Sequence, residues 1–290
     1  MTGVIGLIVV FVMVIGGYLW GGGKFSIILG SIHYEMMIIG GSAVGAFIIA
    51  NGTHTLKTTL GDIGAVFRGP RWKGDDYAEL LILLYELLRV ARQSPVQLEE
   101  HIEAPETSDI FSRFPRILAD EEAISLICDT LRAATMNYDD PHQVEEVIDK
   151  RIETMHHHAL QSSHALQNMA DGLPALGIVA AVLGVIKTMG SIDQPPEVLG
   201  KMIGGALVGT FLGVFLAYAI VGPFATKVKH VREEDHHFYI LIREVLVASL
   251  HNHAPNMCVE IGRQNTPSGI RPSFDELDGA LRSDNAQAAA

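Results

Sequence analysis

Moving an ion through lipid calls for a side chain that titrates or coordinates inside an apolar segment, and this sequence supplies few of them. The apolar stretch Leu173–Met189 contains no Asp, Glu or His, and the stretch Met202–Phe224 contains one well-placed hydroxyl, that of Thr210. Glu35 and Lys187 stand near the ends of their own stretches. A hydroxyl such as that of Thr210 either bonds back to its own i−4 carbonyl or lines a wet path. The chain alone is therefore not expected to relay protons, and a titrating carboxylate has to come from another protein. Pro174 and Pro223 stand near matching ends of the two stretches, at matching depth. Proline inside a helix removes one backbone bond and bends the chain, so the pair reads either as two simple kinks or as a hinge.

Other chemistries find less support. Glu153 and His157 lie one helical turn apart, with His156, His158 and His164 nearby and His236 and His237 further on. An i, i+4 pair can hold zinc, but a third ligand and an enclosing shell are not evident, so neither a metal nor a cofactor is expected. No nucleophile with a base and no glycine-rich phosphate loop occurs, so no catalytic residues are assigned and an enzyme is not expected. A formal net charge of −12 argues against nucleic acid as a partner. Cys128 and Cys258 lie far apart in apolar helical patterns and are expected to be packing residues in a reducing compartment.

The elements that carry these residues follow from patterning. Of 290 residues 48% are hydrophobic and 19% charged, and the mean hydropathy is +0.26, values that fit a chain part in lipid and part in water. Four segments reach or approach the ~20 apolar residues that cross a bilayer: Gly3–Trp20, Met36–Ala50 with His33, Tyr34 and Glu35 at its outer end, Leu173–Met189 and Met202–Phe224. Lys57, Arg68, Arg71 and Lys73 follow the second, and Lys227, Lys229 and Arg232 follow the fourth, whereas the opposite loops carry little more than Lys24, Lys187 and Lys201. By the positive-inside rule the long middle region and both termini face the cytoplasm. Glycines recur every four residues at Gly205, Gly209 and Gly213, and at Gly41 and Gly45, as on faces where membrane helices approach closely.

The water-exposed parts read as helices. Apolar residues at helical spacing predict one over Tyr77–Arg92, with Asp76 and Glu79 as a capping box, and another over Glu121–Met136. Asp140 and Pro141 supply an N-cap and first-turn proline for a helix that runs almost unbroken into the third span. The residues after Lys227 extend the fourth span in the same way. The expected fold is thus an all-α polytopic membrane protein: transmembrane helices 1 and 2 over 1–52, a cytoplasmic helical domain over 53–170, transmembrane helices 3 and 4 over 171–226, and a cytoplasmic tail helix with a disordered end over 227–290.

Several unlinked stretches resemble flagellar motor stator subunits of the MotA type, within the MotA/TolQ/ExbB proton channel family. They are LPALGIVAAVLG (Leu173–Gly184), VGTFLG (Val208–Gly213) with Tyr218 and Pro223, FPRILAD (Phe114–Asp120) and RPSFDEL (Arg271–Leu277). The resemblance covers residues 1 to about 280 in order. It implies a homopentamer around a MotB dimer in the bacterial inner membrane, with MotB supplying the transmembrane aspartate and ion flow turning the rotor protein FliG. It assigns Pro174 and Pro223 to conformational coupling, Ala181 and Thr210 to the ion pathway, and Arg92 with Glu99 (or Glu100, given a spacing one residue short) to rotor contact. Without the resemblance these charges read as a solvated helix face. Sodium-driven relatives carry a threonine at the position of Ala181, so one coordinating hydroxyl fewer favours protons as the transported ion. A TolQ/ExbB-like energiser usually has one span before its cytoplasmic region, and two here favour a stator; a passive membrane scaffold is the more distant alternative.

Overall fold

The computed structural model describes residues 2–136 and 140–288, and among them every regular element is helical. Two compact units divide the chain: Met1–Gly69 with Leu160–Val231, and Pro70–Ala159 with Arg232–Ala290. Four helices are long and apolar enough to cross a membrane.

The first unit begins with α1 (Thr2–Trp20) and α2 (Phe25–Ala50), joined by a short glycine-rich turn. α1 is apolar all round, and Val4, Ile5, Ile8, Val9, Val12 and Met13 stand exposed along it, as a lipid-facing helix requires. α3 (Thr53–Arg68) follows within the same unit. It is fastened there by Asp62, which accepts a hydrogen bond from Ser162, and by Val66 packed with Leu166, Ala225 and Val228. The unit therefore extends past residue 52, because the basic, amphipathic segment after the second span packs on the membrane helices.

The third span is the end of α9 (Pro141–Met189), a single helix of 49 residues with Pro174 inside it. Asp140 Oδ1 accepts from the His142 N–H (3.0 Å) at its start, as the Asp-Pro pair predicts. The fourth span is α10 (Pro196–Phe215). A π-helical segment, Leu216–Val221, joins it to α11 (Gly222–Leu250) without a break in the chain's helical course.

The second unit is built round α4 (Gly74–Gln93), whose Leu80, Leu81, Leu84, Leu87 and Leu88 are almost fully buried. Its N-terminus lies earlier than the apolar pattern implies. Asp76, not Glu79, reaches back, accepting from the Lys73 N–H (2.8 Å). Then come α5 (Pro95–Glu103), the short helices α6 (Asp109–Ser112) and α7 (Pro115–Leu118), and α8 (Glu121–Thr135). Trp72 stacks on Phe238 of α11 (3.9 Å between ring centroids), with Tyr77 edge-on to the same ring. Cys128 and Cys258 are free and buried, and burial pushes the Cys128 thiol up to about 11.

The stretch FPRILAD organises this unit. Phe114 and Ile117 enter the core. Arg116 pairs with buried Asp76 (2.6 Å). Asp120 caps α8 through the Ala123 N–H (2.8 Å), pairs with Arg71 (2.5 Å) and accepts from the Tyr239 hydroxyl (3.2 Å). The tail is more structured than a single helix with a disordered end: α12 (Pro255–Asn265) and α13 (Phe274–Ala288) follow α11. Within RPSFDEL, Ser273 and Glu276 form a reciprocal capping box for α13, and Leu277 is buried.

Candidate ion path and force-bearing residues

Glycine sets the geometry of the first unit. A Cβ on Gly213 would lie 2.7 Å from both Gly177 Cα and the Leu173 carbonyl, and one on Gly184 would lie 2.6 Å from the Ala206 methyl. Backbone thus meets backbone along α9 and α10, the contact that small residues permit in lipid. α2 lies on the other side of α10, with Ser31 Oγ 2.6 Å from a Cβ on Gly205 and Glu35 Oε2 2.6 Å from one on Gly209. Gly41 and Gly45 of α2 have open space around them, so their close-packing face is not used among the described residues.

The same contacts locate the site residues. Gly209 sits between Glu35 on one side and Ala180 and the Ala181 backbone nitrogen, 3.2 Å from a Cβ placed on Gly209, on the other. Ala181, half-buried, and Thr210, next to Gly209, therefore share one level of the helix packing. Thr188 donates to the Gly184 carbonyl (2.9 Å) in the ordinary back-bond. Thr210 makes no side-chain hydrogen bond among the described residues, so the back-bond to its own i−4 carbonyl is not formed here.

Glu35 is the residue that sequence patterning misplaces. Because α2 starts at Phe25, Glu35 stands ten residues, roughly 15 Å, inside the helix. It is only 6% exposed, and its Oε2 has no hydrogen-bond partner among the described residues. A cavity of about 650 Å³ beside it is lined by Ser31, Tyr34, Glu35, Lys187 and Lys201 among others. Lys187 lies over the Tyr34 ring (5.6 Å). A buried carboxylate with an unpaired oxygen, beside a largely apolar cavity that Ser31, Tyr34, Lys187 and Lys201 also line, is where an outside donor recovers a desolvation cost of several kcal/mol. The available signal was the four-residue spacing of Ser31 and Glu35, which matches that of Gly205 and Gly209 opposite.

The prolines do not stand level. The facing pairs Gly177/Gly213 and Gly184/Ala206 fix an antiparallel register in which Pro174 is opposite Leu216, and Pro223 lies about 10 Å further along. Pro174 instead stands beside the first residue of the π-helical segment, and Pro223 follows the segment's end, next to Gly222, whose N–H donates to the Ala217 carbonyl in the wide π pattern. Two disruptions of normal helical bonding are thus offset along one helix pair. A groove of about 500 Å³ runs beside Pro223, lined by Gln167, Tyr218, Thr226 and Lys227.

In the second unit Arg92 and Glu99 are both exposed, as is Glu100. Arg92 is held: one of its nitrogens donates to the Asn252 and His253 carbonyls (2.9 and 2.6 Å) in the turn after α11. Glu99 lies on α5, which Ser94 caps, its hydroxyl accepting from the Gln97 N–H. Glu153 pairs with Lys150 (3.2 Å), and among the described residues neither Glu153 nor His157 joins a metal-type cluster.

Comparison with known proteins agrees with this architecture. Residues 4–95 match the family described as motility protein A N-terminal, and residues 120–238 match the MotA/TolQ/ExbB proton channel family. Motility protein A of Escherichia coli K12 is 38% identical over 281 residues, covering 96% of this chain and 94% of that protein. The chain belongs to the motility protein A family. Chemotaxis protein LafT of Vibrio parahaemolyticus is 36% identical, covering 94% of this chain and 96% of that protein. Among solved structures, Campylobacter jejuni MotAB superposes with a TM-score of 0.71 at 18% identity, covering 94% of this chain and 98% of that one. The flagellar MotAB stator complex of Bacillus subtilis gives 0.67 at 23% identity, covering 96% and 98%. These two likenesses establish the fold.

Proposed function

We propose that this membrane-embedded motility protein is a stator subunit of the bacterial flagellar motor, pairing with a MotB-type partner to turn ion-motive force into torque. The observation that carries the reading is the level shared by Ala181, Thr210 and Glu35 around Gly209, in a chain of this family. The transported ion is a proton, since Ala181 contributes no hydroxyl to a cage for a dehydrated cation. Five copies surround two partner chains, whose intramembrane carboxylate titrates beside Ala181 and Thr210. Glu35 adds an acid of this chain's own.

Neutralising the partner's carboxylate removes a costly charge from lipid and changes its packing against α9 and α10. The weakened helical bonding at Pro174 and at the π segment up to Pro223 lets α9 and α11 bend. Both run on into the second unit, so bending there reaches Arg92 and Glu99, which engage the rotor protein FliG. One charge crossing 100 mV supplies about 2.3 kcal/mol, enough to shift a two-state balance about fiftyfold. The N- and C-termini face the cytoplasm.

The test is co-expression with a MotB-type partner in a stator-less, non-motile strain, with swimming speed followed against sodium concentration and protonophore. Restored swimming that collapses with protonophore and ignores sodium is expected. Pro174→Ala is expected to insert and assemble yet leave cells non-motile. Speed that rises with sodium and survives the protonophore overturns the proton assignment, and a swimming Pro174→Ala strain overturns the hinge.

A further inference from the structure

Within the second unit, three potential metal ligands converge that lie far apart in sequence. His142 and Glu145 occupy the first turn of α9, and His251 follows the last residue of α11; one ligand atom from each lies within 4.8 Å of the others. His142 Nδ1 is 3.6 Å and His251 Nε2 is 3.5 Å from the same oxygen, Glu145 Oε2. The two imidazole rings meet edge to face at 5.4 Å.

These distances suit one ion. With Zn–N and Zn–O bonds of about 2.0–2.2 Å, tetrahedral ligands stand about 3.3–3.5 Å apart, so both histidine-to-carboxylate spacings are close to right. The two histidine ligand atoms also lie within 4.8 Å of each other, and both rings are exposed, so they can adjust to one ion. The carboxylate is already oriented, because its other oxygen, Oε1, accepts from Arg243 (3.1 Å). Arg243 is fixed in turn by Asp149 (2.7 Å) and Glu244 (2.6 Å). An outer partner that holds one oxygen and leaves the second for the ion is the usual support of a carboxylate ligand. Two imidazoles and one carboxylate select zinc-class transition ions over magnesium or calcium, which prefer all-oxygen shells.

We propose that His142, Glu145 and His251 form a surface site for a divalent transition metal of the zinc class, with a fourth position open to solvent. Such an ion clips the start of α9 to the end of α11. It also steadies the turn His251–His253, in which Asn252 adopts a positive φ of 62° and whose carbonyls hold Arg92. Metal binding here is independent of the motor reading, and only its consequence for Arg92 rests on it.

The experiment uses the full chain, purified in detergent without a histidine tag, and titrates zinc sulfate against a chromophoric chelator. One zinc per chain is expected, with His142→Ala and His251→Ala each weakening binding at least tenfold and His157→Ala leaving it unchanged. Because both substituted residues are exposed, the helix content of each variant, read by circular dichroism, is expected to stay native. Absence of competition against a chelator of micromolar affinity overturns the proposal. So does equal weakening by His157→Ala, which would show dispersed binding by surface histidines.

Discussion

His236 shows how a single side chain can set a pH limit on the water-exposed unit. It is 7% exposed, lies 4.5 Å from the His156 ring, and is followed in sequence by His237. Burial first, and these two neighbours second, depress its pKa to about 4. The folded state thus favours the neutral ring, while the unfolded chain protonates near 6.5. Stability from this residue is complete above pH 6.5 and is lost as pH falls toward 4. Between pH 7.5 and 5 the loss amounts to about 2 kcal/mol by proton linkage. Denaturant titration of the full chain at the two pH values checks this, and His236→Gln is expected to flatten the difference. An unchanged slope in that variant would place the acid sensitivity elsewhere. The buried carboxylates Asp76, Glu86 and Asp120 each have an arginine partner at 2.5–2.7 Å, and removing one partner leaves a buried charge uncompensated.

Between elements, packing in the first unit is decided by where a methyl group has no room. Gly213→Ala sets its Cβ 2.7 Å from backbone atoms of Leu173 and Gly177. Backbone cannot give way as a side chain tip can, so α9 and α10 have to separate. Gly41→Ala meets nothing within this chain. The expected outcome is a lower melting temperature of the detergent-solubilised chain for Gly213→Ala, by several degrees, and little change for Gly41→Ala. If Gly41→Ala instead weakens oligomers while sparing the monomer, that face of α2 packs against another subunit. Patterning anticipated much of this: the four spans, the long α9, the extension of the fourth span and the glycine stripe all follow from periodicity and from missing breakers. It failed where polar residues sit inside a membrane helix. Ser31, His33 and Glu35 lower the local hydropathy and so made α2 look short, yet Ser31 and Glu35 face glycines of α10, and burial on a neighbour is what a hydropathy count cannot register. The π segment was equally hidden, since proline announces a disturbed bond but not the wide turn that absorbs it. Convergence of His142, Glu145 and His251 depends on how two helix ends meet, which no spacing along the chain encodes.

At the scale of the whole molecule, the charges proposed to meet the rotor are arranged for repeated making and breaking. Arg92 and Glu99 are exposed, and an exposed ion pair contributes only ~0–1 kcal/mol. A strong pair would arrest each step; a weak one lets the roughly 2.3 kcal/mol of one proton at 100 mV dominate. Arg92 has an additional role, because its two bonds to the Asn252 and His253 carbonyls fasten α4 to the turn after α11. Replacing it removes both a rotor charge and an internal tie, whereas Glu99 makes no side-chain bond among the described residues. The two positions are therefore expected to behave differently. Glu99→Lys should slow swimming by charge alone, and a compensating acidic substitution on the rotor should restore it in full. Arg92→Glu should be rescued only in part by a basic substitution on the rotor, because no rotor change rebuilds the link to residues 252 and 253. Swimming speeds of the two single and two paired strains in soft agar and by tracking distinguish the outcomes. Full rescue of Arg92→Glu would mean that the internal tie carries no force, and failure to rescue Glu99→Lys would remove that residue from the rotor face and leave Glu100 to take its place.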